Sequence, residues 1–193
     1  VWEWHLWDHL IQDADAGDDN YGSVADHPEL FDVNCGNVGS SGGPGPGEAT
    51  ADWMHINAIS YNAIFDQIVL SSRFQDEIFV IDHSTTTEEA ASHIGGNSGK
   101  GGDFLYRWGN PQNYDRGNNS DHILGDQHSV NWIPEGYPGE GNFILFNNSA
   151  NEAVEFVPPI DEEGFYTIEN GHPYGPDNTI WDSPHYSTAM QGG

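Results

Sequence analysis

An internal repeat constrains this chain more than any other feature. "HINAISYNAIFDQIVLSSRFQDEIFVID", starting at His55, aligns with "HSVNWIPEGYPGEGNFILFNNSANEAVEFV", starting at His128, once three residues are inserted after the first strand. Ile68, Val69 and Leu70 then fall on Ile144, Leu145 and Phe146. Ile78 to Ile81 fall on Val154 to Val157, again at an offset of 76. The next apolar run, Asp103 to Pro111, has its counterpart in Asn178 to His185. "VWEWHLWDH", at Val1 to His9, is similar to this fourth strand and would end a preceding unit. Each unit therefore reads as four short strands, A to D, with tight turns between A, B and C. Four-stranded units repeated around an axis are the blades of a β-propeller. A β-sandwich with chance similarity is the competing reading.

The composition agrees with an all-β chain. There are 24 Gly, 11 Pro and 12% aromatic residues, and the apolar runs are short. The one helix expected is short, near 86–94 in "STTTEEAASHIGG", capped by Thr87 or Thr86 and stopped at Gly95-Gly96. Residues 1–12 read as the last strand of a preceding blade. Residues 52–110 and 127–184 read as one blade each, and 185–193 as the start of another, all within one propeller domain. Propellers close with about 4–8 blades. The sequence thus predicts a segment of a longer propeller, or chains that complete one another by self-association through open blade edges. No apolar run approaches the ~18–20 residues of a membrane span.

Charge narrows the partners. Four Lys+Arg stand against 31 Asp+Glu, a formal net charge of −27. Such a surface repels nucleic acid and anionic membranes. All four cations (Arg73, Lys100, Arg107, Arg116) lie between positions 73 and 116. For Arg107 and Arg116 an ion pair with a nearby aspartate is expected. Arg73 ends strand B and would lean over the channel mouth. In a propeller the innermost strand A lines that channel, and the alignment puts His55 and His128 at the same position of two such strands. Asn57, two residues after His55, shares its face. A lone histidine in a strand is usually structural. Two at repeat-equivalent positions beside an isolated arginine favour a site.

The stretches "DWMHINAISYN", "SSRFQDEIFVIDHSTTT", "GKGGDFLYRWGNPQNY", "QHSVNWIPEGYPGEGNFILFNN" and "VWEWHLWDHLIQD" together resemble the arylsulfotransferase family, the PAPS-independent aryl-sulfate sulfotransferases. The resemblance implies a six-bladed propeller, exported to the periplasm or beyond. It implies an enzyme that moves a sulfuryl group from an aryl sulfate to a phenol through a sulfohistidine, with no cofactor required. It makes His128 of "QHSV" the nucleophile, and places the family's second histidine and its asparagine on His55 and Asn57. The family's arginine falls on Arg73. A further family histidine falls on His9, with His5 in reserve. Sulfuryl transfer spreads negative charge over sulfonyl and phenolate oxygens, so donors such as Arg73, His55 and Asn57 suit it. Trp53, Trp108 and Trp132 are candidates to stack on substrate rings.

Weaker signals remain. Asp13, Asp15 and Asp18 in "DADAGDDNYG" form an acidic glycine-containing loop of the kind that can bind calcium. The single Cys35 excludes an intrachain disulfide. Asn118 and Asn147 begin N-x-S sequons, the second expected to be buried by strand B. A reading from another class is a catalytically idle, propeller-derived module for extracellular assembly or binding. Water as the acceptor would give a sulfatase-like variant of the enzyme.

Overall fold

A computed structural model describes residues 1–35 and 54–185. Most of the loop from Asn34 to Thr50, together with Trp53 and nearly all of 185–193, lies outside the described residues. The described part is all-β, with ten strands in three sheets and almost no helix. Strands β1 (Leu10–Ile11) and β2 (Phe31–Asp32) form a short parallel pair. The first four-stranded sheet joins β3 (Ile56–Asn62), β4 (Gln67–Ser72), β5 (Glu77–Asp82) and β6 (Tyr106–Trp108) in sequence order. The second repeats that order with β7 (His128–Trp132), β8 (Phe143–Asn147), β9 (Glu152–Phe156) and β10 (Trp181–Asp182). All neighbours within these two sheets are antiparallel. The expected A-to-D units are therefore present. Among the described residues the sheets do not close into a ring, and no helix is long and apolar enough to cross a membrane.

The register corrects the alignment by one residue. Ser72 pairs with Glu77 at the end of the first B–C hairpin, and Asn147 pairs with Glu152 at the end of the second. The correspondence is thus 75 rather than 76. A one-residue slip in a strand exchanges its two faces. At 75, Leu70, Phe79 and Ile81 answer to Leu145, Val154 and Phe156. The first three point away from the second sheet, into a cluster with Phe31, Cys35 and Phe104. The last three pack toward the first sheet. Each sheet thus presents the same face to what precedes it in the chain. Between the sheets, Val69, Ile78, Val80 and Tyr106 meet Val130, Phe143 and Leu145, and Trp108 stacks on Phe156 with ring centroids 3.9 Å apart. Trp108 and Trp132 are core residues, which removes them as substrate platforms.

The N-terminal segment departs from expectation. Val1 to His9 is not a strand. Leu6–His9 is a single 3-10 turn, and only Leu10–Ile11 joins a sheet. Trp2, Trp4, Leu6 and Leu10 instead cover the outer face of the first sheet. The buried side chains of β4 and β5 explain why that sheet needs covers on both sides. The expected helix shrinks to α1 (Thr87–Ala90), where Thr86 and Glu89 form a reciprocal capping box. Asn147 is buried as expected, with its amide spent on Ile123 O and Gly125 N.

A buried ion pair pins the first sheet. Arg107 and Glu77, both 0% exposed, meet in a bidentate pair with Nε–Oε1 at 2.9 Å and Nη2–Oε2 at 2.6 Å. Asn113 donates to the same carboxylate, and Arg107 also donates to Leu30 O. The guanidinium lies 4.3 Å from the Tyr114 ring centroid. The partner of Arg107 is thus a glutamate, not the aspartate expected. Arg116 departs further, since it donates to the carbonyls of Ala25 and His172. Desolvation pushes the Glu77 carboxyl up against the pull of Arg107. Glu77→Gln should therefore destabilise the chain by about 3–5 kcal/mol, because it leaves a buried guanidinium uncompensated. Glu77→Leu combined with Arg107→Met should recover most of that loss in urea unfolding; a double variant as weak as the single one contradicts the account.

Candidate active site

The B–C turn of the first sheet, residues 73–76, is where the sequence-predicted residues meet. Arg73 opens the turn, and its backbone N–H donates to His55 O. His55 immediately precedes β3 with φ +47, a left-handed conformation uncommon for a non-glycine residue. The segment that carries the chain into β7 reaches this turn with three consecutive residues. Asp126 accepts from Arg73 Nε at 2.9 Å through its carboxylate, while its backbone N–H donates to Asp76 Oδ1. Gln127, fully buried, donates its side-chain amide to Ser72 O at 2.9 Å and Glu77 O at 3.0 Å. The Gln127 carbonyl accepts from Asn57 Nδ2 at 2.8 Å. His128 then starts the strand, with Nδ1 2.9 Å from Asp126 O. Arg73, Asn57 and His128 are each one hydrogen bond from residues 126–127, and His55 is joined to them through Arg73.

His55 and His128 are neighbours without being equivalent. His128 pairs with Phe146 as Ala58 pairs with Ser71, so His128 lies inside its strand and His55 lies before its own. The A–B connection is ten residues long between Trp132 and Phe143 against six between Tyr61 and Ile68, four more rather than three. A bulge interrupts each A strand near its start. His55, Asp76, Asp126 and Ser129 all have positive φ. Strained backbone gathers here on both sides of the sheet junction.

Three participants were missed in the sequence. Phe74 lies between two of the candidates, its ring 4.7 Å from the His55 ring and 5.6 Å from the Arg73 guanidinium carbon. Asp126 orients Arg73. Asn148 is the third, and its Nδ2 lies 2.8 Å from both Asp126 O and His128 Nδ1. With the register offset of 75, Asn148 occupies the position of Arg73 in the second sheet. That equivalence was the available signal, hidden by the one-residue slip. The amide oxygens of Asn57, Gln127 and Asn148 are buried and have no hydrogen-bond partner among the described residues.

The neighbours of His128 pull its tautomer in two directions. Asp126 O can only accept, so a hydrogen on Nδ1 goes to it and leaves the lone pair of Nε2 available. Asn148 offers an N–H to the same Nδ1 and favours the opposite tautomer. The two contacts compete for one nitrogen. Cys35 offers no alternative nucleophile, because burial pushes its thiol up to about 12.

The remaining candidates lie elsewhere. His9 is fully buried beside Asp103 and Ala90, at the opposite end of the first sheet from Arg73. β5 starts at Glu77 by the Arg73 turn and runs to Asp82, roughly 15–20 Å of strand. His9 enters the candidate set through the family resemblance, with His5 in reserve. His5 is exposed beside Glu3 and Asp8. Asp13, Asp15 and Asp18 are all exposed, and Asp15 accepts from Gly17 N within its own turn. The one metal-ligating group among the described residues does not include them.

The sequence matches the arylsulfotransferase (ASST) family over residues 1–160. The chain belongs to that family. No curated protein matches it significantly. Membership makes aryl sulfotransfer the family-level activity and small molecules the family-level substrates. For an arylsulfotransferase the neighbourhood of Asp76 is informative. His122 Nε2 lies 3.1 Å from Asp76 Oδ2, and this bond raises the His122 pKa above its ordinary 6.5. A pKa raised by folding contributes stability below the unfolded value and loses it as pH rises through the folded value. Unfolding midpoints should therefore lose this contribution as pH climbs above 6.5, and His122→Gln should flatten that dependence. An unaltered profile in the variant contradicts the assignment. Asp126→Ala should lower turnover by about 10–100-fold with little change in KM, because Arg73 loses its orientation. A change confined to KM would show Asp126 acting on binding alone.

Proposed function

We propose that this chain is part of an exported, PAPS-independent aryl-sulfate sulfotransferase. It would move a sulfuryl group from an aryl sulfate to a phenol through a sulfohistidine on His128. The two four-stranded sheets would be successive blades of a six-bladed propeller. Their face-to-face packing and the contact between β3 and β7 support that arrangement. The observation that carries the reading is the junction at 126–127, which links Asn57, Arg73 and His128 by single hydrogen bonds and His55 through Arg73.

The chemistry runs in two displacements. The Nε2 lone pair of His128 attacks sulfur, an N–S bond forms, and the S–O bond to the aryl group breaks. The aryl oxide leaves with a proton from His55 acting as general acid. The phenol then attacks sulfur, its proton passes to His55, the N–S bond breaks, and His128 is regenerated. Arg73 keeps its Nε on Asp126, and its Nη1 and Nη2 carry four further N–H donors for sulfonyl oxygens. Asn57 Oδ1, buried and without a partner among the described residues, suits the O–H of an incoming phenol.

The test is to mix the protein with a chromogenic aryl sulfate, quench at neutral pH and sequence the peptides by mass spectrometry. The expected result is one sulfuryl group on His128, consumed when phenol is added. His128→Asn should abolish the adduct and lower turnover on the order of 10³-fold or more. Undiminished transfer in that variant, or an adduct on another residue, contradicts the covalent role. Release of free sulfate unaffected by phenol would make water the acceptor.

A further inference from the structure

We infer that His9, His93 and Asp103 form a binding site for a first-row transition-metal dication of the zinc type, remote from the candidate active site. Nδ1 of His9 and Nδ1 of His93 both approach Asp103 Oδ1, at 2.8 and 2.7 Å. The three ligand atoms lie within 4.8 Å of one another. The two rings are nearly perpendicular, at 86° with centroids 5.8 Å apart, so their nitrogens converge from different directions. Two imidazoles and one carboxylate are a donor set for zinc-like ions, unlike the all-oxygen sets of calcium or magnesium.

The surroundings are built as such a site requires. Metal-bound histidines characteristically donate their second ring N–H to a carbonyl or carboxylate. His9 Nε2 lies 2.8 Å from Ala90 O, at the end of α1. Trp4 stacks on the His9 ring at an interplanar angle of 4° and is itself fixed by a hydrogen bond to Gly102 O. A Cβ at Gly102 would sit 2.6 Å from His9 Nε2, so glycine is what admits the ring. The His9 ring is therefore locked, and its Nδ1 has one direction to point. Asp103 is almost buried, while the His93 side chain is 60% exposed. His93 also lines a cleft of about 490 Å³ with Trp7, Asp8 and His27. A fourth coordination position on that side is open to water or a small ligand.

Ala90 O can only accept, so a hydrogen on His9 Nε2 goes to it and the Nδ1 lone pair faces the carboxylate side, where an ion would bind. With an ion on Nδ1 of His93, the hydrogen of that ring sits on Nε2. Tetrahedral zinc–nitrogen bonds place ligand atoms about 3.3 Å apart. The exposed His93 side chain can swing outward, and a small rotation of the Asp103 carboxylate widens its 2.8 Å contact with His9, by the half-ångström that this needs.

The test uses Co²⁺ as the probe on the whole chain after chelation, followed by displacement with Zn²⁺. The expected result is one Co²⁺ per chain with the visible bands of a low-coordinate nitrogen–oxygen site. His93→Ala, an exposed change that leaves the fold intact by circular dichroism, should weaken binding by about 100-fold and remove the bands. Asp103→Asn should do the same where it folds. Co²⁺ binding of equal strength in the His93 variant, or no bands at stoichiometric Co²⁺, overturns the proposal.

Discussion

The side-chain amide of Gln127 is the interaction on which the candidate site depends. It enters the first sheet from the second and donates to the carbonyls of Ser72 and Glu77, the pair that closes the β4–β5 hairpin. The amide nitrogen is buried, so removing the side chain would take a donor from two carbonyls, each at a cost of about 1–3 kcal/mol. The carboxylate of the same Glu77 is held by Arg107 and Asn113. The core ion pair, the hairpin end and the junction are therefore one continuous network. Asp126 and His128, one residue to either side of Gln127, inherit its position.

Charge economy takes on a physical sense in this arrangement. Arg107 stabilises the interior of the first sheet, and Arg116 ties the carbonyls of Ala25 and His172 together. Arg73 is the cation at the sheet junction, about one-third exposed. Its partner Asp126 holds one edge of the guanidinium and leaves the fork of terminal nitrogens for an anion. In a chain of net charge −27, that local fork is what an anionic substrate would find attractive. The pairing fixes direction at the expense of some positive charge.

Much of the strand order was legible because apolar alternation and tight turns are local properties. The A–D units, the capping box at Thr86 and the burial of Asn147 all follow from short-range chemistry. The face assignment was not legible. Apolar residues at adjacent positions, such as Val69 and Leu70, fit offsets of 75 and 76 equally well until hydrogen-bond register decides. The bulges near Asn57 and Ser129 cost the alignment its equivalence of His55 and His128. Gln127 carries no sequence signature, since its importance comes from where a second sheet places a short amide, and the repeat equivalence of Asn148 to Arg73 was hidden by the one-residue slip. "VWEWHLWDH" reads as a strand by its likeness to the fourth strand of each unit, whereas Trp2 and Trp4 serve as a cover for the first sheet.

The most direct measurement is amide hydrogen exchange, followed residue by residue, in the chain and in Gln127→Leu. The account predicts that protection falls together at 126–128 and at 71–77, while β8 and β9 remain protected. Loss of protection confined to 126–128, with the β4–β5 hairpin end unchanged, would show that the second sheet does not hold the site through this amide.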